Sequence, residues 1–142
     1  DGPGLLGALQ TSVKQLSAQT EMTIDLDYQL ESLPLTPNEE IHLLQIVREA
    51  TQNALHHSQG QRVDIQIERR HNKVSVVIDD DGVGIPENPG KMNHYGMAIM
   101  QERSKNLGGD VTIGNRTEGG TRVQFLFTPD CLRQASVFAR DA

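Results

Sequence analysis

The chain has 142 residues, 19 acidic against 13 basic side chains and a formal net charge of -6. That is the length of one ordinary domain with a single core, and its acidity argues against a nucleic-acid partner, which would call for a basic stripe. Aromatic residues make up 4% with no Trp, so Leu, Ile, Val and Met must fill the core; Cys131, the single cysteine, excludes an internal disulfide and fits a reducing compartment.

The opening "DGPG" reads as a continuing linker, and no run approaches the length of a membrane span. Leu5, Leu6, Leu9, Val13 and Leu16 recur at helical spacing, predicting an amphipathic helix from Leu5 to Ala18. "MTIDLDYQL" alternates as a strand with one wet face. In "LPLTPNEE", Thr36 is a good N-cap, Pro37 suits the first helical position and Glu39 completes a capping box. The helix that follows carries Ile41, Leu44, Ile46, Val47, Ala50, Ala54 and Leu55 and runs to about Ser58.

"RVDIQIERR" and "KVSVVID" alternate at period two with only "HN" between them, which predicts a tight antiparallel hairpin. The Gly-, Pro- and Asn-rich stretch from Asp81 to about Tyr95 is too long for a connector and reads as a functional loop. A helix from about Gly96 to Leu107 stops at Gly108 and Gly109, and two strands, "DVTIGN" and "TRVQFLFTP", flank the turn "RTEGG". After Pro129 the pattern fades. The expected architecture is an α+β two-layer sandwich, one mixed or antiparallel sheet of about five strands with three helices on one face. A single domain occupies residues 1–142, with its core at about 5–128 and a tail at 129–142.

Four stretches could carry chemistry. In "REATQNALHHS", Glu49, Asn53 and His57 stand on one line of a helix, with His56 on a neighbouring line. They read either as a solvated face or as an Asn53 oxygen offered to a Mg2+ ion. In "VIDDDGVGIP", a carboxylate at a strand end beside GxG could accept from an exocyclic amine, or the stretch could be an acidic surface turn. Gly96 opens a helix whose free N–H groups suit phosphate, although Met97, Ile99, Met100 and Leu107 on it are core residues. "EGGT" alone is a hairpin turn.

In this order the four stretches resemble the ATP-binding fold, of the Bergerat type, shared by DNA gyrase, Hsp90, sensor histidine kinases and the mismatch-repair protein MutL. "REATQNALHH" looks like the N box, "DDDGVGI" the G1 box, "HYGMAIM" the G2 box and "EGGT" the last glycine box. "REATQNALHHS" and "GMAIMQERSKNLGG" are similar to the HisKA_3 subgroup of two-component histidine kinases. "IHLLQIVREA" and "NHYGMAIM" resemble more closely still the nitrate/nitrite sensor kinases of enteric-type bacteria.

The resemblance implies that Asp80 accepts from the adenine amine, that Gly82 and Gly84 are the G1 glycines with Ile85 after them, and that Asp79 is the last strand residue with Asp81 a spacer. It implies Asn53 as the Mg2+ ligand, with Glu49 orienting the metal's water or a catalytic water. His56 and His57 follow in the N box, His56 where the family usually has Lys. Gly96 and Met97 would border the phosphates, and Thr121 would lie near the adenine and Asp80. The lid would run from about Pro86 to Tyr95, with Lys91 and His94 as phosphate contacts.

The implied cofactors are ATP and Mg2+. The implied partners are the phosphoacceptor and dimerisation helices of the same parent kinase and, downstream, a response regulator. None of His42, His56, His57, His71 and His94 lies in an "ELHD"-like phosphoacceptor context. The chain is therefore expected to be the catalytic and ATP-binding part alone, monomeric as a fragment of a homodimeric parent. Its expected place is the cytoplasmic side of a bacterial inner-membrane protein, and by itself it is not expected to autophosphorylate. An anti-sigma-factor type serine kinase, an ATPase conformational switch and a binding module without catalysis are the rival readings.

Overall fold

In a computed structural model the described residues are 4–30, 32–57, 59–84 and 94–133, with the side chains of 94–96 excepted. The elements in chain order are α1 (Leu5–Ser17), β1 (Thr23–Gln29), α2 (Pro37–His57), β2 (Arg62–Arg70), β3 (Lys73–Asp80), α3 (His94–Asn106), β4 (Asp110–Asn115) and β5 (Thr121–Phe127). The five strands form one sheet in the order β1-β2-β3-β5-β4. β1 and β2 are parallel and every other neighbouring pair is antiparallel, so the sheet is mixed. A parallel pair needs a long crossover, and α2 supplies it.

Period-two alternation decides which side of the sheet is dry. The register aligns Leu26, Ile65, Ile78, Val123 and Ile113 across all five strands, and Tyr28, Ile67, Val76, Phe125 and Val111 in the next row. These residues form one core with Leu5, Leu9 and Leu16 of α1, Leu43, Ile46, Val47, Ala50 and Ala54 of α2, Met100 of α3 and Leu107 just after it. The opposite face carries Asp25, Asp64, Asp79 and Arg122 in one row. The three helices thus cover one face.

Several expectations shift in detail. On α2, Leu43 is fully buried, whereas Ile41 is 56% exposed and lies outside the core stripe. Helix α3 begins at His94, so Gly96 sits within its first turn and does not open it. The end of α3 is as expected: Gly108 has φ 67, its N–H donates to the Lys105 carbonyl, and the Gly109 N–H donates to the Ser104 carbonyl. That pair of bonds satisfies carbonyls the helix leaves open. In the β2–β3 hairpin the first turn residue, His71, takes φ 58, and its carbonyl accepts from Arg69 Nε at 2.8 Å.

The capping box at the start of α2 forms reciprocally. The Glu39 N–H donates to Thr36 Oγ1 at 3.1 Å, and the Thr36 N–H donates to Glu39 Oε1 at 2.8 Å. The second Glu39 oxygen accepts the N–H of Asp130 at 2.8 Å, which ties the chain leaving β5 to the start of α2. Residues 130–133 then make a helical turn in which Leu132 is buried, order that the faded pattern after Pro129 did not announce.

Glu39 is 4% exposed, so its loss strands two N–H donors. Glu39→Ala is expected to lower the unfolding free energy by about 3 kcal/mol in urea titration, and Glu39→Gln, which keeps one acceptor oxygen, by clearly less.

Candidate functional site

The site is built where β3 ends between β2 and β5. Alternate residues of a central strand point their main-chain groups to opposite neighbours. The Asp81 N–H donates to the Arg62 carbonyl on β2, so the main chain of Asp80 is directed to β5, opposite Thr121. At this last rung the two side chains stand in for their own carbonyls. The Arg62 N–H donates to Asp81 Oδ1 at 3.0 Å, joined by the Gln61 N–H at 2.8 Å. On the other side, the Thr121 N–H donates to Asp80 Oδ1 at 3.2 Å, and the Gly82 N–H reaches the same oxygen at 2.9 Å.

The three consecutive aspartates therefore have three environments. Asp79 lies on the wet face, where Arg122 holds both its oxygens at 2.8 Å. It is not the last strand residue, since β3 extends to Asp80. Asp81 is an acceptor for the start of β2, a structural task beyond that of a spacer. Asp80 is only 6% exposed, and both bonds from described residues fall on Oδ1, with none on Oδ2.

The environments pull the two neighbouring acids apart. Burial raises the pKa of Asp80 above its usual value, against main-chain bonds from Gly82 and Thr121 that lower it; Asp81 adds a raising charge and Arg116 a lowering one. The N–H groups of Gln61 and Arg62 lower the pKa of Asp81. A buried carboxylate whose second oxygen takes no bond from the described residues suits a ligand that brings its own donor.

Glycines let the surrounding backbone close on this carboxylate. Gly120 has φ 92, and a Cβ there would stand 1.9 Å from the Asp80 carbonyl oxygen and 3.0 Å from the Asp81 Cα. Gly84 has φ 83, and a Cβ would meet Asn115 Oδ1 at 2.7 Å. A Cβ on Gly60 would lie 2.8 Å from the Gly82 nitrogen. The turn Arg116–Gly120 closes through the Arg116 N–H on the Gly120 carbonyl at 2.9 Å, and Arg116 Nη1 donates to the Asp80 carbonyl at 2.8 Å.

Asp80, Gly82 and Thr121 are thus joined by direct bonds, and Gly84 lies against the same hairpin. Glu49 and Asn53 are half-buried one turn apart on the flank of the α2 stripe formed by Val47, Ala50, Thr51 and Ala54, while His56 and His57 are exposed at its end. Met97 packs against the core and stays half-buried. Ile85 and Lys91 lie outside the described residues, as does the side chain of His94. Gly60, Arg116 and Arg122 were not singled out from the sequence. The sole basic residue of the "RTEGGT" turn was the available signal for Arg116.

The donors present fit a nucleotide with its cation. Asp80 Oδ2 offers an acceptor at a floor of bare main chain, and Asn53 has a neutral oxygen that can serve a hard cation alongside phosphate and water. Among the described residues no cluster of three or more His, Cys, Asp or Glu could hold a metal, and no helix is long and apolar enough to cross a membrane.

Residues 38–130 match the family model described as histidine kinase-, DNA gyrase B-, and HSP90-like ATPase. The chain belongs to that family. It is 43% identical over 128 residues, 90% of its length, to the nitrate/nitrite sensor protein NarX of Escherichia coli, and covers 21% of that protein. It is 41% identical over 118 residues to the sensor protein NarQ homolog of Haemophilus influenzae, covering 82% of this chain and 21% of the relative. The chain therefore spans about a fifth of the length of these curated relatives. Among solved structures, the histidine kinase domain of the blue-light activated histidine kinase of Erythrobacter litoralis EL346 has the same fold, with TM-score 0.74 at 18% identity over 94% of this chain and 65% of that one.

The raised pKa of Asp80 has a sign that can be measured. The folded state holds the proton more tightly, so this residue's contribution to stability declines as pH rises from the ordinary value, 3.8, through the folded one. Asp80→Asn removes that decline while keeping an oxygen for Gly82 and Thr121. Thermal unfolding at neutral pH should find it at least as stable as the wild type, whereas Gly120→Ala should lose about 3 kcal/mol or more.

Proposed function

We propose that this domain binds Mg-ATP and donates the γ-phosphate to a histidine on a separate dimerisation helix of a parent sensor kinase, for relay to a response-regulator aspartate in nitrate/nitrite signalling. The observation that carries this reading is the buried Asp80 carboxylate, its Oδ1 saturated by main-chain donors and its Oδ2 left for an incoming amine. The family and the names of the relatives NarX and NarQ support the wider context. The parent is read as a homodimeric inner-membrane protein of bacteria, with this domain on the cytoplasmic side.

Each residue has a task in that reading. Asp80 accepts from the adenine amine, and Gly82, Gly84, Ile85 and Thr121 let the flat ring approach the main chain. Asn53 offers its side-chain oxygen to Mg2+, and Glu49, one turn earlier, orients a water. The first turn of α3, from His94 through Gly96 and Met97, presents N–H groups to the phosphates, with Lys91, His56 and His57 as further phosphate contacts. A bound Mg2+ would supply charge neutralisation for the triphosphate. The protein's own contribution is positioning, so that an imidazole supplied in trans can attack the γ-phosphorus in line.

Nucleotide titration and phosphate transfer test this reading. Calorimetric titration with ATP and Mg2+ should give binding that Asp80→Asn weakens by about 100-fold and Asp81→Asn leaves nearly unchanged, because an Asn oxygen still accepts from Gln61 and Arg62. Supplying a phosphoacceptor helix with radiolabelled ATP should place acid-labile phosphate on histidine; acid-stable phosphate on serine, or free phosphate alone, would favour the rival kinase or ATPase. Asn53→Asp should abolish that transfer, and unchanged turnover would remove Asn53 from the metal. His56→Lys should not weaken ATP binding; a loss of about tenfold would exclude His56 from the phosphate contacts.

A further inference from the structure

We infer that Arg116 is a positioning residue for the site: by occupying the main-chain oxygen of Asp80 it diverts the Thr121 N–H onto the Asp80 carboxylate, and so fixes the direction of the second carboxylate oxygen. This rests on the reading of Asp80 as the acceptor for adenine.

The ladder between β3 and β5 sets the regular partners at the last rung. The main chain of Asp80 faces β5, and the regular partner of the Thr121 N–H at that rung is the Asp80 carbonyl. That carbonyl instead accepts from Arg116 Nη1 at 2.8 Å, while the Thr121 N–H goes to Oδ1 at 3.2 Å. One guanidinium N–H therefore exchanges a main-chain acceptor for a side-chain acceptor. Two main-chain donors then converge on one carboxylate oxygen, which removes rotation about the last side-chain torsion of Asp80.

Arg116 is built to stay in place. Its side chain is only 18% exposed, Nη2 donates to Glu118 Oε2 at 3.3 Å, and Nε lies 3.9 Å from Asp79 Oδ2. Asp79 is itself fixed by Arg122, so the guanidinium is flanked by an anchored carboxylate. The Nε atom is buried and makes no hydrogen bond, a cost accepted for reaching the Asp80 carbonyl. Its charge also opposes the burial that raises the pKa of Asp80. Bound to that carbonyl behind the carboxylate, it acts through Asp80.

Inosine triphosphate provides the discriminating probe, because it keeps the phosphates and sugar of ATP and lacks the exocyclic amine. In calorimetric titrations with Mg2+, the wild type should prefer ATP. Arg116→Met should weaken ATP by about tenfold and change inosine triphosphate by less than about twofold, and Arg116→Lys, which keeps a charged donor, should recover most of the preference. Equal weakening of both nucleotides would mean a merely structural residue and overturn the inference, as would unchanged ATP binding by Arg116→Met. A wild type that binds ATP and does not discriminate overturns the Asp80 reading itself. Independently of any Arg116 variant's folding, the Thr121 amide resonance of the wild type should titrate with the Asp80 carboxyl; a Thr121 amide blind to that titration would also overturn the inference.

Discussion

The geometry of the site depends on the last rung of β3, where two adjacent carboxylates replace two main-chain carbonyls as acceptors. Asp81 closes the rung toward β2 and Asp80 closes it toward β5. A strand that simply ended would splay, leaving its final N–H and C=O groups to water. Here the strand terminates with those groups paired, and the chain can turn at once into the glycine loop. The neighbouring glycines follow from that choice, since Gly120 and Gly60 must give up a Cβ for main chain to lie so close.

The same arrangement divides two chemically identical residues. Asp81 gains from ionisation because it accepts from two exposed main-chain donors, whereas Asp80 pays for ionisation through burial. The polypeptide spends stability at one residue to keep an acceptor dry. Dry acceptors discriminate better than wet ones, because an unmatched ligand leaves them unpaired at full cost.

Much of this was legible in the sequence, and the limits have physical causes. The elements declared themselves where period and punctuation agreed: the alternating strands, the Thr36–Glu39 box and the Gly108–Gly109 stop. The glycine pattern also separated Asp80 from its neighbours. The structural use of Asp81 stayed hidden because it depends on which main-chain groups a central strand turns to each neighbour, a property of register and not of residue type. Ile41 was misassigned for a related reason: α2 meets the sheet along the stripe of Leu43, Val47, Ala50 and Ala54, and the choice among apolar positions on one helix is made by the partner surface. Arg116 and the anchoring of Asp130 by Glu39 are long-range pairings, 36 and 91 residues apart, that no local pattern encodes.

The sheet order has a consequence for how the domain is made. β5 is the last strand among the described residues yet lies between β3 and β4, so two strands synthesised earlier wait for it with unpaired edges. During translation β3 therefore emerges with its β5 side open, and Asp80 lacks both Thr121 and the Gly120 turn until the end of the domain leaves the ribosome. An interrupted chain would expose an apolar strand edge of the kind that recruits other chains. The surroundings of Asp80 are completed by the same late step that seals the gap between β3 and β4.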